Sequence, residues 1–308
     1  MNKRLVYILL FLSGFSNLSA QSLLDELGEE EQPKEFVKNA FKSTRVISSH
    51  SLEFVGPGVL DFRILHRFGR VNTGSYEAFG LDQARIRIGL DYGISKRLMV
   101  GIGRSSYKKE LDGFAKYRLI WQAKGKHASP VSVILISGIT NNMMKWDNPD
   151  RDNFYSSRLA FYHQIIIGRK FSDAFSFQIT PTMVHNNLVQ TANDEHDIYS
   201  VGIGTRIKLT KRLAFTADYY YQLPNQLPDN ITQPLSIGFD IETGGHVFQL
   251  HFTNALGMNE RVLTTETDGK WDKGDIHFGF NISRVFTVHN KKKPASETQS
   301  DGEKKNWK

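Results

Sequence analysis

The chain has 308 residues, no cysteine, and 39 lysines and arginines against 32 aspartates and glutamates, a formal charge of +7. The absence of thiols excludes a disulfide framework and a thiolate metal site, and so small a charge excess, part of it in the C-terminal run, leaves no electrostatic footprint for nucleic acid. Mean hydropathy is −0.38 and no run after residue 20 matches a membrane helix, so only strands could cross a bilayer, because a barrel strand shows lipid one face and can keep the other polar.

At the N-terminus, Lys3 and Arg4 precede the apolar run Leu5 to Leu12 and the triplet Leu18-Ser19-Ala20. This reads as a cleaved signal peptide over 1–20, with the mature chain starting at Gln21. Residues 21–58 read as a periplasmic lead-in. They carry Leu23, Leu24 and Leu27, an acidic run, then Phe36, Val37 and Phe41, with a break at Pro33. Within that stretch Val46 to Phe54 is either an extra strand or a segment entering a barrel.

From Val59 the texture changes to strand-length alternation between Gly, Asn, Asp, Pro and Lys clusters. Ile86, Ile88, Leu90 and Tyr92 share one face while Arg85, Arg87 and Asp91 share the other. Leu213 to Tyr221, Leu235 to Ile241 and Ile276 to Ile282 repeat the pattern. Twelve strands are predicted, at 59–67, 83–94, 97–107, 112–122, 130–140, 155–168, 174–185, 197–209, 212–221, 234–243, 246–254 and 274–286. Connectors after even strands are mostly tight, as at Ser95-Lys96, Thr210-Lys211 and Gly244-Gly245, whereas those after odd strands are mostly long and polar. The pattern predicts an all-β fold, a transmembrane antiparallel β-barrel over 59–288, with long loops outside the cell, both termini periplasmic, and a disordered basic tail over 289–308. Tyr107, Tyr155, Tyr199, Tyr219 and Tyr221 fall at the loop ends, and Tyr92, Trp121, Phe171, Phe175 and Phe286 at the turn ends, as two aromatic girdles would.

The strings DFRILHRFG at 61–69, GLDQARIRIGLDYGISKRLMVGIGRSSYKKELDGFAKYRLI at 80–120 and GDIHFGFNISRVF at 274–286 resemble a family of uncharacterised outer-membrane β-barrel proteins of Gram-negative bacteria, known as a domain of unknown function. The resemblance runs from about Phe41 to Phe286 and implies a barrel and an outer-membrane address, but brings no catalytic or ligand residue. Ser48-Ser49 stands where members of that family tend to have Asn-Gly, which puts a tight turn there in doubt.

Strand parity sends Asp61, Arg63, Arg85, Arg87, Asp91, Lys116, Arg118, Gln178, Arg206, Lys208, Asp218, Asp240, Glu242, Gln249, His251 and His277 inward. Isolated charges cannot sit in a dry core, so the lumen is water-filled or internally paired. Two readings follow. In the first, a porin-like channel for a small polar or anionic solute is lined by Arg63, Arg85, Arg87, Asp61, Asp91, His251 and His277, with strands twelve, one and two bringing His277 and the arginines together. In the second, a structural or binding barrel is closed by its own salt bridges. A lipid-acting enzyme is a third possibility and is not expected, because Ser157 lies six residues, roughly 20 Å, from the lipid-facing His163, although a serine on a neighbouring strand stays open. No cofactor or metal is expected: the ten histidines lack ligand spacing and Asp194-Glu195-His196-Asp197 reads as a solvated loop. The Gly-x-Gly pairs 101/103 and 202/204 have no following helix and read as close packing rather than a nucleotide loop. Expected partners are outer-membrane lipid and the solute.

Overall fold

A computed structural model describes residues 33–146, 148–189, 191, 193–243 and 246–289. Its strands are β1 Val59–Arg70, β2 Ala84–Gly93, β3 Leu98–Ser105, β4 Leu111–Ile120, β5 Ser132–Asn141, β6 Leu159–Lys170, β7 Phe175–Asn186, β8 Asp197–Lys208, β9 Leu213–Gln222, β10 Leu235–Thr243, β11 His246–Thr253 and β12 His277–Thr287. Each pairs antiparallel with its neighbour in sequence, and β12 pairs with β1 through Ile282 opposite Ile64 and Ser283 opposite Arg63, which closes the sheet. Closure leaves no edge strand with unpaired backbone groups. The twelve predicted strands are all present. The largest boundary difference is at β6, where residues 155–158 form a 3-10 turn because the Arg158 guanidinium donates to the carbonyls of Asn142 and Met144.

Burial alternates along the strands as the sequence pattern requires. In β6, Tyr162, Gln164, Ile166 and Gly168 point inward while His163, Ile165 and Ile167 point out. Connectors after β2, β6 and β8 are short, and those after β1, β5, β7, β9 and β11 are long. The barrel therefore has a turn end and a loop end, with two exceptions, the short loop after β3 and the longer connector 121–131 after β4. Tyr155, Tyr199 and Tyr221 are exposed at the loop end and Phe171, Phe175 and Phe286 at the turn end. Tyr107 departs from its expected girdle place and turns to Glu266.

One expectation is corrected. The stretch read as a periplasmic lead-in, 21–58, is from Ala40 to Val55 an insert inside the barrel, with Phe41, Val46, Ile47, Leu52 and Val55 all buried, so that of the two alternatives for Val46 to Phe54 it is the segment entering the barrel and not the extra strand. Glu35 and Phe36 bridge Lys124 and Ala123 at the turn end, so the chain enters there. It reverses at 46–49 and returns to the same end, where the Gly58 amide reaches the Gly93 carbonyl before β1 begins. The physical reason is an apolar lumen wall. Met99, Phe114, Ile134, Ile136, Tyr162, Ile166, Val184 and Ile198 of β3 to β8 face inward and join the insert's apolar side chains in one cluster. A water-filled lumen would leave that surface wet, at about 25 cal/mol per Å². The expected signal peptide, residues 21–32, the Gly244-Gly245 turn and the tail after His289 lie outside the described residues.

A second insert enters from the loop end. After β11 the chain folds down into α1, Glu260–Thr265, every residue of which is buried. The Asn259 side chain accepts from the Val262 amide at 3.0 Å and caps the helix start.

Candidate functional site: the occluded lumen

The reversal at 46–49 is held by the barrel wall. One Asp218 carboxylate oxygen accepts from the amides of Ser48 (2.8 Å) and Ser49 (2.9 Å), from Ile47 (3.3 Å), and from the Ser49 hydroxyl (3.0 Å). That ring of donors makes the turn at Ser48-Ser49 without Asn-Gly, and neither Ile47 nor Ser48 adopts a positive φ. Gln249 donates to the Val46 carbonyl at 2.7 Å, Asn281 to Ile47 at 2.9 Å and Gln178 to His50 at 2.7 Å. Lys116 Nζ reaches the carbonyls of Ser51 and Glu53, each at 2.7 Å. The wall thus satisfies the insert's backbone with side chains, and no strand ladder joins the two.

The residues expected to line a path separate into different roles. Arg63 donates to Asp61 at 2.6 Å and to Ser43 and Thr44 of the insert, and Thr44 in turn donates to Asp91. Arg87 makes a two-pronged pair with Asp112, 2.8 and 2.5 Å, at 1 % exposure on both sides. Arg85, the register partner of the buried Arg67, is exposed at the loop-end rim. His251 is buried on β11. His277 Nδ1 donates to the Phe68 carbonyl at 2.8 Å, near the loop end. Strands β12, β1 and β2 are neighbours as expected, but Arg63 faces Ser283, six residues from His277 and on the order of 20 Å away. Parity fixes which face a side chain takes, and depth then keeps these apart. Of the other inward expectations, Lys208 is exposed and Glu242 half-buried, paired with Lys42 at 2.5 Å.

The residues that join the two inserts were not foreseen. Arg45 donates to Glu260 of α1 at 2.5 Å, and His50 Nε2 lies 3.2 Å from the same carboxylate oxygen, with all three side chains at 1 % exposure or less. Nearer the loop end, Arg261 bonds Glu110 (2.8 Å) and Glu266 (2.6 Å), Asn259 bonds Glu110 (2.7 Å), and Lys108 and the Tyr107 hydroxyl also reach Glu266. Acid and base here lie outside the strands, where no period-2 alternation reports direction.

Burial pushes the Glu266 carboxyl up, but the Arg261 and Lys108 cations outweigh it and hold it below the ordinary glutamate range. A carboxyl lowered on folding adds stability above its unfolded pKa, about 4.3, and that stability is lost as pH falls through the folded value. Acidification below about pH 4 is therefore expected to free the β11–β12 loop. Trp271, whose indole reaches the Leu235 carbonyl, reports it as a fluorescence red shift, and Glu266→Gln, which lacks the titrating carboxyl, is expected to show the red-shifted emission already at neutral pH without the acid step.

Glycines act as expected, by close approach. A Cβ at Gly101 would meet the Phe114 ring at 2.4 Å and one at Gly202 the Tyr220 ring at 2.6 Å. On the outer face His163 is exposed, and its register partner on β5 is Ser137, not Ser157. No hydrogen bond joins the two and no carboxylate orients the imidazole among the described residues. Asp194 accepts from Thr191 and His196 contacts Asn186 O, as in an ordinary loop.

A closed antiparallel barrel with a belt of exposed isoleucine, leucine and phenylalanine, stoppered from both ends by its own chain, defines the class: a plugged membrane β-barrel. The chain belongs to the family described as a membrane-bound beta barrel domain, DUF5777, whose model matches residues 41–286 and so takes in the insert as well as the wall. Among solved structures it is similar to a NanC porin, at 10% identity and a TM-score of 0.46 over 73% of this chain and 98% of that one. It is also similar to an outer membrane channel from Pseudomonas putida F1, at 11% identity and 0.44 over 77% and 97%. No curated protein matches the sequence.

Proposed function

We propose that this protein is an outer-membrane channel for small polar solutes, held shut by its two inserts, with the loop end outside the cell and both termini in the periplasm. The observation that carries the reading is the way the N-terminal insert is held. It is bonded through its backbone to wall side chains such as Asp218, Gln249, Asn281 and Lys116, so it can leave without breaking any of the ladders that close the barrel. Its departure uncovers Arg63, Lys116, Asp61, Asp91, Asp218 and the buried Arg67, which donates to the Ser48 hydroxyl of the insert, a wall of both signs that suits polar or zwitterionic solutes as well as anions. A permanently stoppered structural or binding barrel is the second reading, favoured by the complete burial of the Arg45–Glu260 pair.

Planar-bilayer recordings of the wild type and of a variant lacking residues 40–55 separate them. The wild type is expected to stay mostly closed and the deletion variant to give discrete conductance steps, with heat-modifiable gel mobility showing that its barrel is folded. A folded deletion variant that gives no steps, or a wild type as open as the variant, contradicts the gated channel.

A further inference from the structure

At the loop end of β2 to β4 the outer face carries a groove of about 640 Å³ lined by Ile86, Ile88, Leu90, Ile102 and Leu111, with Arg104, Ser106 and Lys109 at its head. Arg104 has the parity of the lipid face: it follows Ile102 by two residues and stands opposite Ile88 and Leu111 in register. Among the described residues its guanidinium meets only neutral acceptors, the Lys109 carbonyl at 2.5 Å and Met143 Sδ at 3.4 Å. The β3–β4 turn holds Lys108 and Lys109 at φ of 51° and 49°, a left-handed backbone that two non-glycine residues adopt only at a cost of about 1 kcal/mol or more each. That turn divides the pair: Lys108 goes inward to Glu266, and Lys109 is exposed beside Arg104. Among the described residues, neither Arg104 nor Lys109 makes an ion pair with a carboxylate. A second outer-face groove of about 710 Å³ over β4 to β8 is as apolar and has no lysine or arginine in its lining.

The geometry points to a binding site for a phosphate-bearing glycolipid of the outer leaflet. An acyl chain lies along Ile86, Ile88, Leu90 and Ile102, and the phosphate is held by Arg104 and Lys109. An uncompensated cation on the lipid face is tolerated near the interface, where its cost falls to about 0–1 kcal/mol, and two cations without counter-charges above an apolar trough match an anionic head on an apolar tail. Charged hydrogen bonds to phosphate are the strong kind. Placement in the outer leaflet rests on the orientation proposed above.

The test uses full-length protein in detergent and native mass spectrometry, titrated with a phosphorylated lipid A, its dephosphorylated form, and phosphatidylglycerol. Phosphorylated lipid A is expected to be retained at least about tenfold more strongly than the dephosphorylated form, and to lose about tenfold in Arg104→Gln/Lys109→Gln while Arg169→Gln, at the turn end, binds as wild type. Equal retention of the two lipid A forms by the wild type overturns the site and does not depend on any variant folding, as does undiminished binding by a heat-modifiable double variant. Preference for phosphatidylglycerol would assign the groove to the inner leaflet and overturn the glycolipid proposal, while leaving the channel reading to the bilayer recordings.

Discussion

Glu260→Gln is expected to turn a closed barrel into one that opens repeatedly, with open probability raised by about two orders of magnitude. The change keeps the shape of the side chain and removes the charge shared by Arg45 and His50. Arg45 then keeps the Ser48 carbonyl at 3.1 Å, inside its own segment, its place over the Phe114 ring and at most a neutral amide oxygen at position 260, and no ion pair ties the N-terminal insert to α1. Breaking a buried pair by removing one partner costs about 3–5 kcal/mol, and about 2.7 kcal/mol suffices for a hundredfold shift in population. The wall ladders do not involve Glu260, so the barrel should keep the wild-type heat-modifiability. Single-channel recording checks it; a variant as silent as the wild type would show that the lock does not limit opening.

Arg87→Glu is expected to act on the barrel itself. It would set two carboxylates against each other at 1 % exposure, where Arg87 and Asp112 now make a two-pronged pair, and cost about 3–5 kcal/mol. The gel-mobility transition on heating should move to clearly lower temperature. Arg85→Glu, two residues away but exposed at the rim, should stay within about 0.5 kcal/mol of wild type. If the two variants melted alike, the lumen would be wet enough to screen the charges and the occluded packing would be wrong.

Strand number, alternation and the two unequal ends could all be read from the sequence because each strand repeats one local rule, apolar out and polar in. The contents of the lumen could not, although one signal was present. Ile134-Leu135-Ile136 and Ile165-Ile166-Ile167 are apolar on both parities, which a water-filled channel does not need and an apolar filler does. The filler lies before the first strand, in a stretch with neither period 2 nor period 3.6, and its partners are contributed by many different strands. Asp218 could be placed inward, but its role depends on three amides some 170 residues earlier. Arg85 and Arg87 share a parity and differ in depth, which alternation does not encode. The Arg45–Glu260 pair joins residues 215 apart, both outside the strands.

A plugged barrel requires the N-terminal segment to lie inside the wall, and a cysteine pair at Ser48 and Ser236 tests that directly. Their hydroxyls are 3.3 Å apart, one on the insert and one on β10, and both residues are fully buried. The chain has no native cysteine, so a disulfide in Ser48→Cys/Ser236→Cys joins those two residues within a chain, or two chains as a dimer that the gel distinguishes. The expected result is a cross-linked monomer in folded protein, seen as a reductant-sensitive mobility difference after full denaturation, with no labelling by a membrane-impermeant maleimide beforehand. Two free thiols that label readily in the folded protein, with no cross-link under oxidant, would put the segment outside the lumen and contradict the plugged barrel.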